Sequence, residues 1–196
     1  IEAYQKIICI EPDHYRALNN IGIIKSGLGF LDEAKEIFEM SIKSNPNFSD
    51  PYNHIGIIKA LQGYYLEALA MFEKALNINP NYTDAYNNIA NTLESMGKRQ
   101  ESIDYYNKVL FLNPNYEIAR SKKLHQQAHI CDWEGIESEN IFLSQLGLNK
   151  QMVVPFGLIS LDDNPERQKK RSEILIKEKF LQNPLPFEFK LKGKNK

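Results

Sequence analysis

The sequence predicts an all-α protein in which helical hairpins repeat and are followed by a helical linker region. Prolines recur at intervals of 34 residues, at Pro12, Pro46, Pro80 and Pro114. Glycines keep the same interval at Gly29, Gly63 and Gly97. Between these marks, apolar residues stand three and four positions apart, which is the spacing of one face of a helix. A fixed period with a glycine turn and a proline stop therefore predicts stacked pairs of helices.

Each period divides into a first and a second helix. We expect helix pairs at about 14–27 with 31–43, 49–62 with 65–77, and 83–96 with 99–111. Small residues at Gly22, Gly56 and Ala90 allow the two helices of a pair to approach each other closely. The motif Asn-Pro-Asn follows each second helix. It ends the helix because proline lacks an amide donor and restricts the residue before it.

This pattern resembles the tetratricopeptide repeat, a helix–turn–helix unit that buries its apolar face only by stacking on its neighbours. The resemblance implies a right-handed superhelix whose inner wall is formed by the first helices, where partners usually bind. It divides the chain into a truncated second helix (1–12), three repeats within 13–116 (15–48, 49–82 and 83–116), a capping or junction helix (117–133), a helical linker (134–183) and a basic tail (184–196). Because 1–12 reads as the end of an earlier repeat, we expect a piece of a longer protein.

Charge is unevenly distributed along the chain. The formal net charge is −1, but residues 166–196 carry ten lysines and arginines against four acidic residues. This basic end indicates either an acidic partner or, as we prefer, a solvated helix face followed by a polar linker. Cys9 and Cys131 are the only cysteines, so no disulfide framework is predicted and a reducing compartment fits best. With no apolar run of 18 residues, we expect a cytoplasmic protein that binds neither membrane nor nucleic acid.

The predicted inner wall is rich in side-chain amides. The positions that face it by phase are Asn19, Asn20, Asn53, His54, Asn87, Asn88 and Asn91. Asparagine is a poor helix former, so pairs of it within three helices oppose local propensity. A carboxamide both donates and accepts, so a column of them could bind the backbone of an extended peptide. Alternatively, one asparagine of each pair joins neighbouring repeats or faces water. The wall lacks the lysines and arginines that a carboxylate clamp would use.

A second motif lies after the repeats. The predicted junction helix ends in Cys131-Asp132-Trp133, and the run from Val154-Pro155-Phe156 to Asp162-Asp163-Asn164-Pro165 comes after it, with Gln168 beyond. These features resemble the O-linked N-acetylglucosamine transferase family, including its bacterial homologues and the Spindly-type O-fucosyltransferases. We expect these three junction residues to pack, and Trp133, as the largest apolar side chain, to anchor the last repeat to the linker.

The resemblance implies a complete enzyme that transfers a sugar from a nucleotide donor, such as UDP-N-acetylglucosamine, to Ser or Thr without a metal. Two Rossmann-like lobes after Lys196 would perform this chemistry, so the present segment would hold no cofactor and no catalytic residue. It would select the acceptor polypeptide, and it could form a homo-oligomer through its repeats. A histidine that is important in animal members has no counterpart in the stretch 154–157. The competing hypothesis is a non-enzymatic scaffold that recruits a partner protein.

Further expectations concern the linker. Residues 134–146 predict one amphipathic helix with Ile136, Ile141, Phe142 and Leu146 on its apolar face, ended by Gly147. A buried connector is expected at 153–161. Asn164 as N-cap and Pro165 at the first helical position predict a helix to about residue 181. His125 and His129 stand four apart before Cys131 and Asp132, so a zinc site is conceivable, but packing is the preferred interpretation.

Overall fold

The computed structural model describes residues 10–11, 13–148, 161–162 and 164–180. Every regular element in that part of the chain is a helix, as the sequence predicted. The helices are α1 (Tyr15–Gly27), α2 (Leu31–Ser44), α3 (Asp50–Leu61), α4 (Tyr65–Ile78), α5 (Thr83–Ser95), α6 (Arg99–Leu112), α7 (Glu117–His129), α8 (Trp133–Glu137), α9 (Asn140–Leu143) and α10 (Pro165–Phe180). They belong to two compact units, Ile1–Ala119 and Arg120–Lys196, and the division falls inside α7.

The C-terminal ends of the six repeat helices have local causes. Gly29, Gly63 and Gly97 have φ angles of 87°, 83° and 75°, a left-handed conformation that glycine adopts without strain. After each second helix, the asparagine before the proline is extended, and its Oδ1 accepts a hydrogen bond from the backbone N–H two residues later. These caps are Asn45 with Asn47, Asn79 with Asn81, and Asn113 with Asn115, at 3.1, 3.2 and 3.2 Å. Local chemistry thus explains why the predicted limits of these helices hold to within a residue.

Close contact within the first two hairpins depends on glycine. A Cβ atom added at Gly22 would lie 2.6 Å from Phe38 Cε1, and one added at Gly56 would lie 2.5 Å from Phe72 Cε1. No side chain fits at such distances, so the prediction that small residues permit this approach is confirmed. The third hairpin differs, because Ala90 and Tyr106 hold the equivalent positions and both are fully buried.

Consecutive hairpins share their cores. Ala34 and Phe38 of α2 pack with Ile55 and Ile58 of α3. In the same way, Ala68 and Phe72 of α4 pack with Ile89 and Leu93 of α5. Each buried aliphatic or aromatic side chain contributes roughly 1.5–3 kcal/mol through removal of its surface from water. A hairpin therefore depends on its neighbour for much of its stabilisation.

The second unit combines a small apolar core with buried ion pairs. Leu124, Ile136, Leu143 and Leu146 form the core. Glu139 is buried beside Arg120, which donates to it, and its other oxygen accepts from Lys123 Nζ at 2.7 Å. Burial alone would raise the pKa of Glu139, but the two cations outweigh this effect and lower it. The carboxylate therefore stays charged, as a buried pair requires.

The helix α10 begins as predicted and is fixed by an arginine. Asn164 Oδ1 accepts from the backbone N–H of Arg167 at 2.9 Å, which confirms the N-cap. The buried guanidinium of Arg171 donates to the carbonyl oxygens of Leu146 and Leu143, at 2.7 and 2.6 Å, and to Asp162 at 2.6 Å. Hydrogen bonds from Arg167 and then Arg171 hold the pKa of Asp162 far below its usual range.

Several predictions for this unit are wrong. The helix α7 ends at His129 and does not continue to Trp133, because Cys131 has a φ of 58°. Residues 134–146 form no single helix, since the Asp132 side chain starts a new helix by accepting from Gly135 N at 3.0 Å. Gly147, with a φ of 73°, does end the segment.

The change of helix phase alters which side chains are buried. Ile136 and Leu146 are buried as expected, but Ile141 is 80% exposed, Phe142 is 46% exposed, and Leu143 is buried in their place. The prediction that the Trp133 indole packs as an anchor is also wrong, because it is 60% exposed. The predicted helix at 1–12, the connector at 153–161 and the tail at 184–196 lie outside the described residues, apart from residues 10–11 and 161. None of the described helices combines the length and apolarity needed to cross a bilayer.

Candidate peptide-binding groove

The seven predicted inner-wall positions divide into two groups by burial. Asn19 and Asn53 are each only 3% exposed. The other five, Asn20, His54, Asn87, Asn88 and Asn91, are half-buried. The prediction of direct peptide contact is therefore wrong for Asn19 and Asn53, because these side chains are covered by the packing of neighbouring hairpins.

At the junction of α3 and α5, two asparagines form a hydrogen bond between hairpins. Asn88 Nδ2 donates to Asn53 Oδ1 at 2.9 Å. Burial, followed by the charge of Asp50, raises the pKa of the Tyr82 hydroxyl group. Asn53 is thus a structural residue that orients Asn88, which matches the alternative that one asparagine of a pair joins neighbouring repeats.

At the junction of α1 and α3, the equivalent bond is missing. His54 stands where Asn88 stands one repeat later, and its ring stacks on Phe38 with centroids 5.0 Å apart and planes 13° apart. Burial lowers the pKa of His54, partly opposed by the charges of Asp50 and Asp84, so the ring is held neutral. The buried Oδ1 of Asn19 has no hydrogen-bond partner among the described residues.

In α5 two further asparagines lie in different surroundings. Asn87 Oδ1 is buried and has no hydrogen-bond partner among the described residues. Asn91 Oδ1 accepts a hydrogen bond from the Tyr106 hydroxyl at 2.8 Å, and Glu94 Oε2 lies 2.9 Å from the same hydroxyl. Burial raises the pKa of Tyr106, so the hydroxyl remains a donor. Tyr106 of α6 therefore orients the Asn91 side chain through a hydrogen bond, as Asn53 orients that of Asn88.

Asn88 and Asn91 border a cavity of about 250 Å³ between α3, α4 and α5. Its other walls include Ile57, Ala60 and Leu61 of α3 and Tyr65 of α4. We call this feature the α3–α5 groove. Its lining contains no charged side chain, so it suits an uncharged group flanked by backbone amides. The structure thus places Asn88 and Asn91 together at a concave surface.

The apolar walls of this groove were not among the residues predicted from the sequence. Ile57 holds the position in the second repeat that Asn91 holds in the third, so the sequence could have placed Ile57 on the inner wall. Leu61 is 70% exposed, so this wall of the groove is open to solvent. Phase shows which side of the helix a residue occupies, but not which neighbouring helix completes the concavity.

The four residues for which a zinc site was conceivable do not converge on one point. The Nε2 atoms of His125 and His129 lie 3.1 Å apart, and their rings meet edge to face. Cys131 is exposed, and Asp132 is used as a helix cap. Among the described residues, no group of three or more His, Cys, Asp or Glu side chains is arranged to hold a metal ion.

Comparisons with known proteins support the fold. Family models described as tetratricopeptide repeat match residues 15–48, 49–82 and 83–116. These windows coincide with the three intervals predicted from the sequence and together span about half of the chain. No curated protein sequence matches the chain.

Solved structures with this fold have low sequence identity to the chain. YrrB, described as a TPR protein with an unusual peptide-binding site, is 17% identical over 90% of this chain and 92% of its own, with a TM-score of 0.62. MamA is 18% identical over 90% and 87%, with a TM-score of 0.58. A mutant of the Thermobaculum terrenum O-GlcNAc transferase is 19% identical over 58% of this chain but only 22% of its own, with a TM-score of 0.55. At these identities the likeness establishes the fold alone.

Proposed function

Because the chain belongs to the tetratricopeptide-repeat proteins, we propose that its repeats bind an extended polypeptide in the α3–α5 groove. One observation carries the proposal. Asn88 and Asn91 lie side by side at the border of an uncharged cavity, and each is held in place by a second residue, Asn53 or Tyr106. Positioned amides beside an apolar recess are what recognition of an extended backbone requires.

The chemistry of Asn88 explains how a peptide would be held. Its bond to Asn53 uses one of the two Nδ2 hydrogens, so the other hydrogen and Oδ1 can face the groove. An extended peptide presents one N–H and one C=O per residue, and a carboxamide pairs with both at once. Each such hydrogen bond contributes about 0.5–1.5 kcal/mol. The contacts are made to the backbone, so they do not depend on the peptide's sequence.

The cavity beside the asparagines would add selectivity for one side chain. Ile57, Ala60 and Leu61 offer apolar contact, and no cation or carboxylate is present in the lining to pair with a charged group. Placing a charged side chain there would remove it from water without compensation. We therefore expect the peptide to place a small or medium uncharged side chain in the recess.

The test is a binding measurement with the full 196-residue chain. A fluorescein-labelled peptide of alternating serine and valine is the probe, and a backbone N-methylated version of it is the control ligand. The double variant Asn88→Ala/Asn91→Ala should lower affinity roughly 5- to 100-fold, which corresponds to two lost hydrogen bonds. Asn77→Ala, which removes an exposed amide on α4, is the matched control and should bind as the wild type does.

Two results would refute this proposal. One is unchanged affinity in the double variant while far-UV circular dichroism shows that helicity is retained. The other is equal binding of the N-methylated peptide, since that ligand lacks the donors that the carboxamides would accept from.

A finer proposal concerns the activity of the protein. We propose that it is a protein O-glycosyltransferase and that the groove presents the acceptor chain to it. Support comes from the Cys131-Asp132-Trp133 motif and from a likeness of fold to an O-GlcNAc transferase over part of the chain. The donor would be UDP-N-acetylglucosamine, and its chemistry would belong to a region encoded downstream.

The two functional classes can be separated by measuring UDP release. The product of the full-length gene should release UDP in the presence of a Ser/Thr peptide, whereas the 196-residue chain should only bind that peptide. In the full-length protein, the Asn88/Asn91 double variant should raise KM for the peptide more than it lowers kcat. Peptide binding without any UDP release by the full-length protein would favour the scaffold and reject the transferase.

A further inference from the structure

A second concave surface lies on the other side of α5. Its walls are the turn Pro80–Asn81, Tyr86 of α5, and Lys108, Phe111 and Leu112 of α6, and its volume is about 510 Å³. We call it the Lys108 pocket. Tyr86 and Asn88 are two residues apart on one helix, which separates their directions by about 200°. The Lys108 pocket is therefore distinct from the α3–α5 groove.

The cation in this pocket is held by aromatic rings and not by an acid. Lys108 Nζ lies 4.1 Å from the ring centroid of Tyr105 and 5.7 Å from that of Tyr86. Among the described residues it forms no salt bridge, and no carboxylate lines the pocket. Aromatic faces position an ammonium group but leave its charge uncompensated. The pocket therefore presents an oriented positive charge to a ligand.

Next to this charge lies an exposed apolar surface. Phe111 is 86% exposed, the most of any large apolar side chain in the described residues, and it comes three positions after Lys108 on the same face of α6. A single exposed phenylalanine needs no explanation. Here, however, the ring borders a concavity that also contains Leu112 and Pro80.

We propose that the Lys108 pocket binds a peptide segment that carries a carboxylate side chain and, two residues away, a large apolar side chain. Charge complementarity selects the acid, because Lys108 is the only charged residue in the lining. The spacing has a geometric basis. Lys108 and Phe111 stand three positions apart on α6, and helix side chains with this spacing lie about 5–6 Å apart. In an extended peptide, residues i and i+2 share a face and lie about 6.5–7 Å apart.

A nearby acidic residue provides a means of adjusting this site. Burial raises the pKa of Tyr105, and the charge of Glu73 adds to that effect, so this charge acts on the ring beside Lys108 although Glu73 does not line the pocket. Its negative charge opposes the approach of an acidic ligand. Glu73→Gln should therefore strengthen binding of the acidic peptide alone.

The experiment uses the 196-residue chain and labelled peptides in which one serine separates the two key residues. The first peptide carries glutamate and leucine, and the control carries glutamine in place of the glutamate. We expect the wild type to prefer the glutamate peptide about two- to fivefold, as for an exposed ion pair. Lys108→Gln should bind both peptides equally, and Lys108→Arg should restore the preference. Phe111→Ser should lower affinity for both peptides about tenfold.

Further readouts locate the site and identify its occupant. Amide chemical-shift changes on adding the glutamate peptide should cluster at Asn81, Lys108 and Phe111, and Asn88→Ala/Asn91→Ala should leave this binding unchanged. A glutamate preference that persists in Lys108→Gln, or shifts centred on Asn88 and Asn91, would overturn the proposal. So would a dimer in sedimentation velocity that Phe111→Ser dissociates, because a second copy of the chain would then occupy the pocket.

Discussion

The junction between α1 and α3 and the junction between α3 and α5 place asparagine at the same repeat position. At the first junction the asparagine is Asn19, and at the second it is Asn53. Both are 3% exposed, yet only Asn53 accepts a hydrogen bond from the next hairpin. In the first junction His54 holds the position of Asn88, and its ring stacks on Phe38. A single difference between the repeats, histidine at 54 and asparagine at 88, therefore replaces a hydrogen bond between hairpins with an aromatic stacking contact.

A second difference reinforces the first. The second junction has the half-buried Tyr82, which carries a hydroxyl group, whereas Phe48 holds the equivalent position in the first junction. The Phe48 ring instead packs edge-on against Tyr15, with centroids 5.0 Å apart. The repeat thus fixes where a side chain lies, while its hydrogen bonds depend on residues that the repeat leaves free to vary. A half-buried carboxamide is held by a hydrogen bond between hairpins at the second junction and not at the first.

The largest effect should come from removing the aromatic ring at each junction. Phe38 and Phe72 are 0% and 1% exposed, so Phe38→Ala or Phe72→Ala should each lower the free energy of unfolding by about 3–5 kcal/mol. Phe38→Ala should also remove the stacking with His54, worth about 0.5–1.5 kcal/mol. Urea denaturation followed by circular dichroism gives both values. In a protein that already carries His54→Ala, Phe38→Ala should no longer cause this extra loss of stability. An extra loss that persists there would contradict a stabilising role for the stacking of Phe38 on His54.

An intermediate effect should distinguish the two buried asparagines. Asn53→Leu leaves Asn88 without its hydrogen-bond partner, so it should cost about 1–3 kcal/mol. Asn19→Leu replaces an oxygen that has no partner among the described residues, so it should be neutral or stabilising. The measurement is again urea denaturation. Equal losses in the two variants would show that the junctions do not differ in the way described.

A smaller effect is expected from converting the first junction into the second. His54→Asn should allow a carboxamide bond to Asn19 worth about 0.5–1.5 kcal/mol, which the lost stacking on Phe38 largely offsets. The net change should therefore be near zero, so a double-mutant cycle with Asn19→Ala is the informative measurement. Positions 19 and 54 should couple in the asparagine background and not in the wild type. Coupling of the same size in both backgrounds would contradict this prediction.

The smallest effect is a dependence on pH that only the first junction should contribute. Burial holds the pKa of His54 below its ordinary value of 6.5, so the folded protein binds this proton more weakly than the unfolded chain does. Stability is then fully present above about pH 6.5 and should fall as the pH is lowered through that value towards the folded pKa. Unfolding midpoints measured from neutral to mildly acidic pH should show this slope. The slope should flatten in His54→Asn, and an unchanged slope there would assign it to another group.

The predictability of each element depended on how local its causes are. The limits of α1 to α6 could be predicted because glycine turns and Asn-Pro-Asn stops act within a few residues. The end of α7 could not, because a left-handed Cys131 and the cap at Asp132 replace the continuous helix that periodicity indicated. Burial of Leu143 in place of Ile141 and Phe142 results from that break, since restarting a helix shifts its apolar face.

The sequence by itself determined the repeated hairpins, their limits, and the close approach at Gly22 and Gly56, because each depends on contacts at a fixed interval along the chain. Only the tertiary structure decided which amides remain at the border of a cavity. It buried Asn19 and Asn53 between hairpins and left Asn88 and Asn91 at a cavity. The reason is physical: a carboxamide can pair equally well with a neighbouring helix or with a ligand, and its burial between hairpins, which the sequence alone does not show, selects between them.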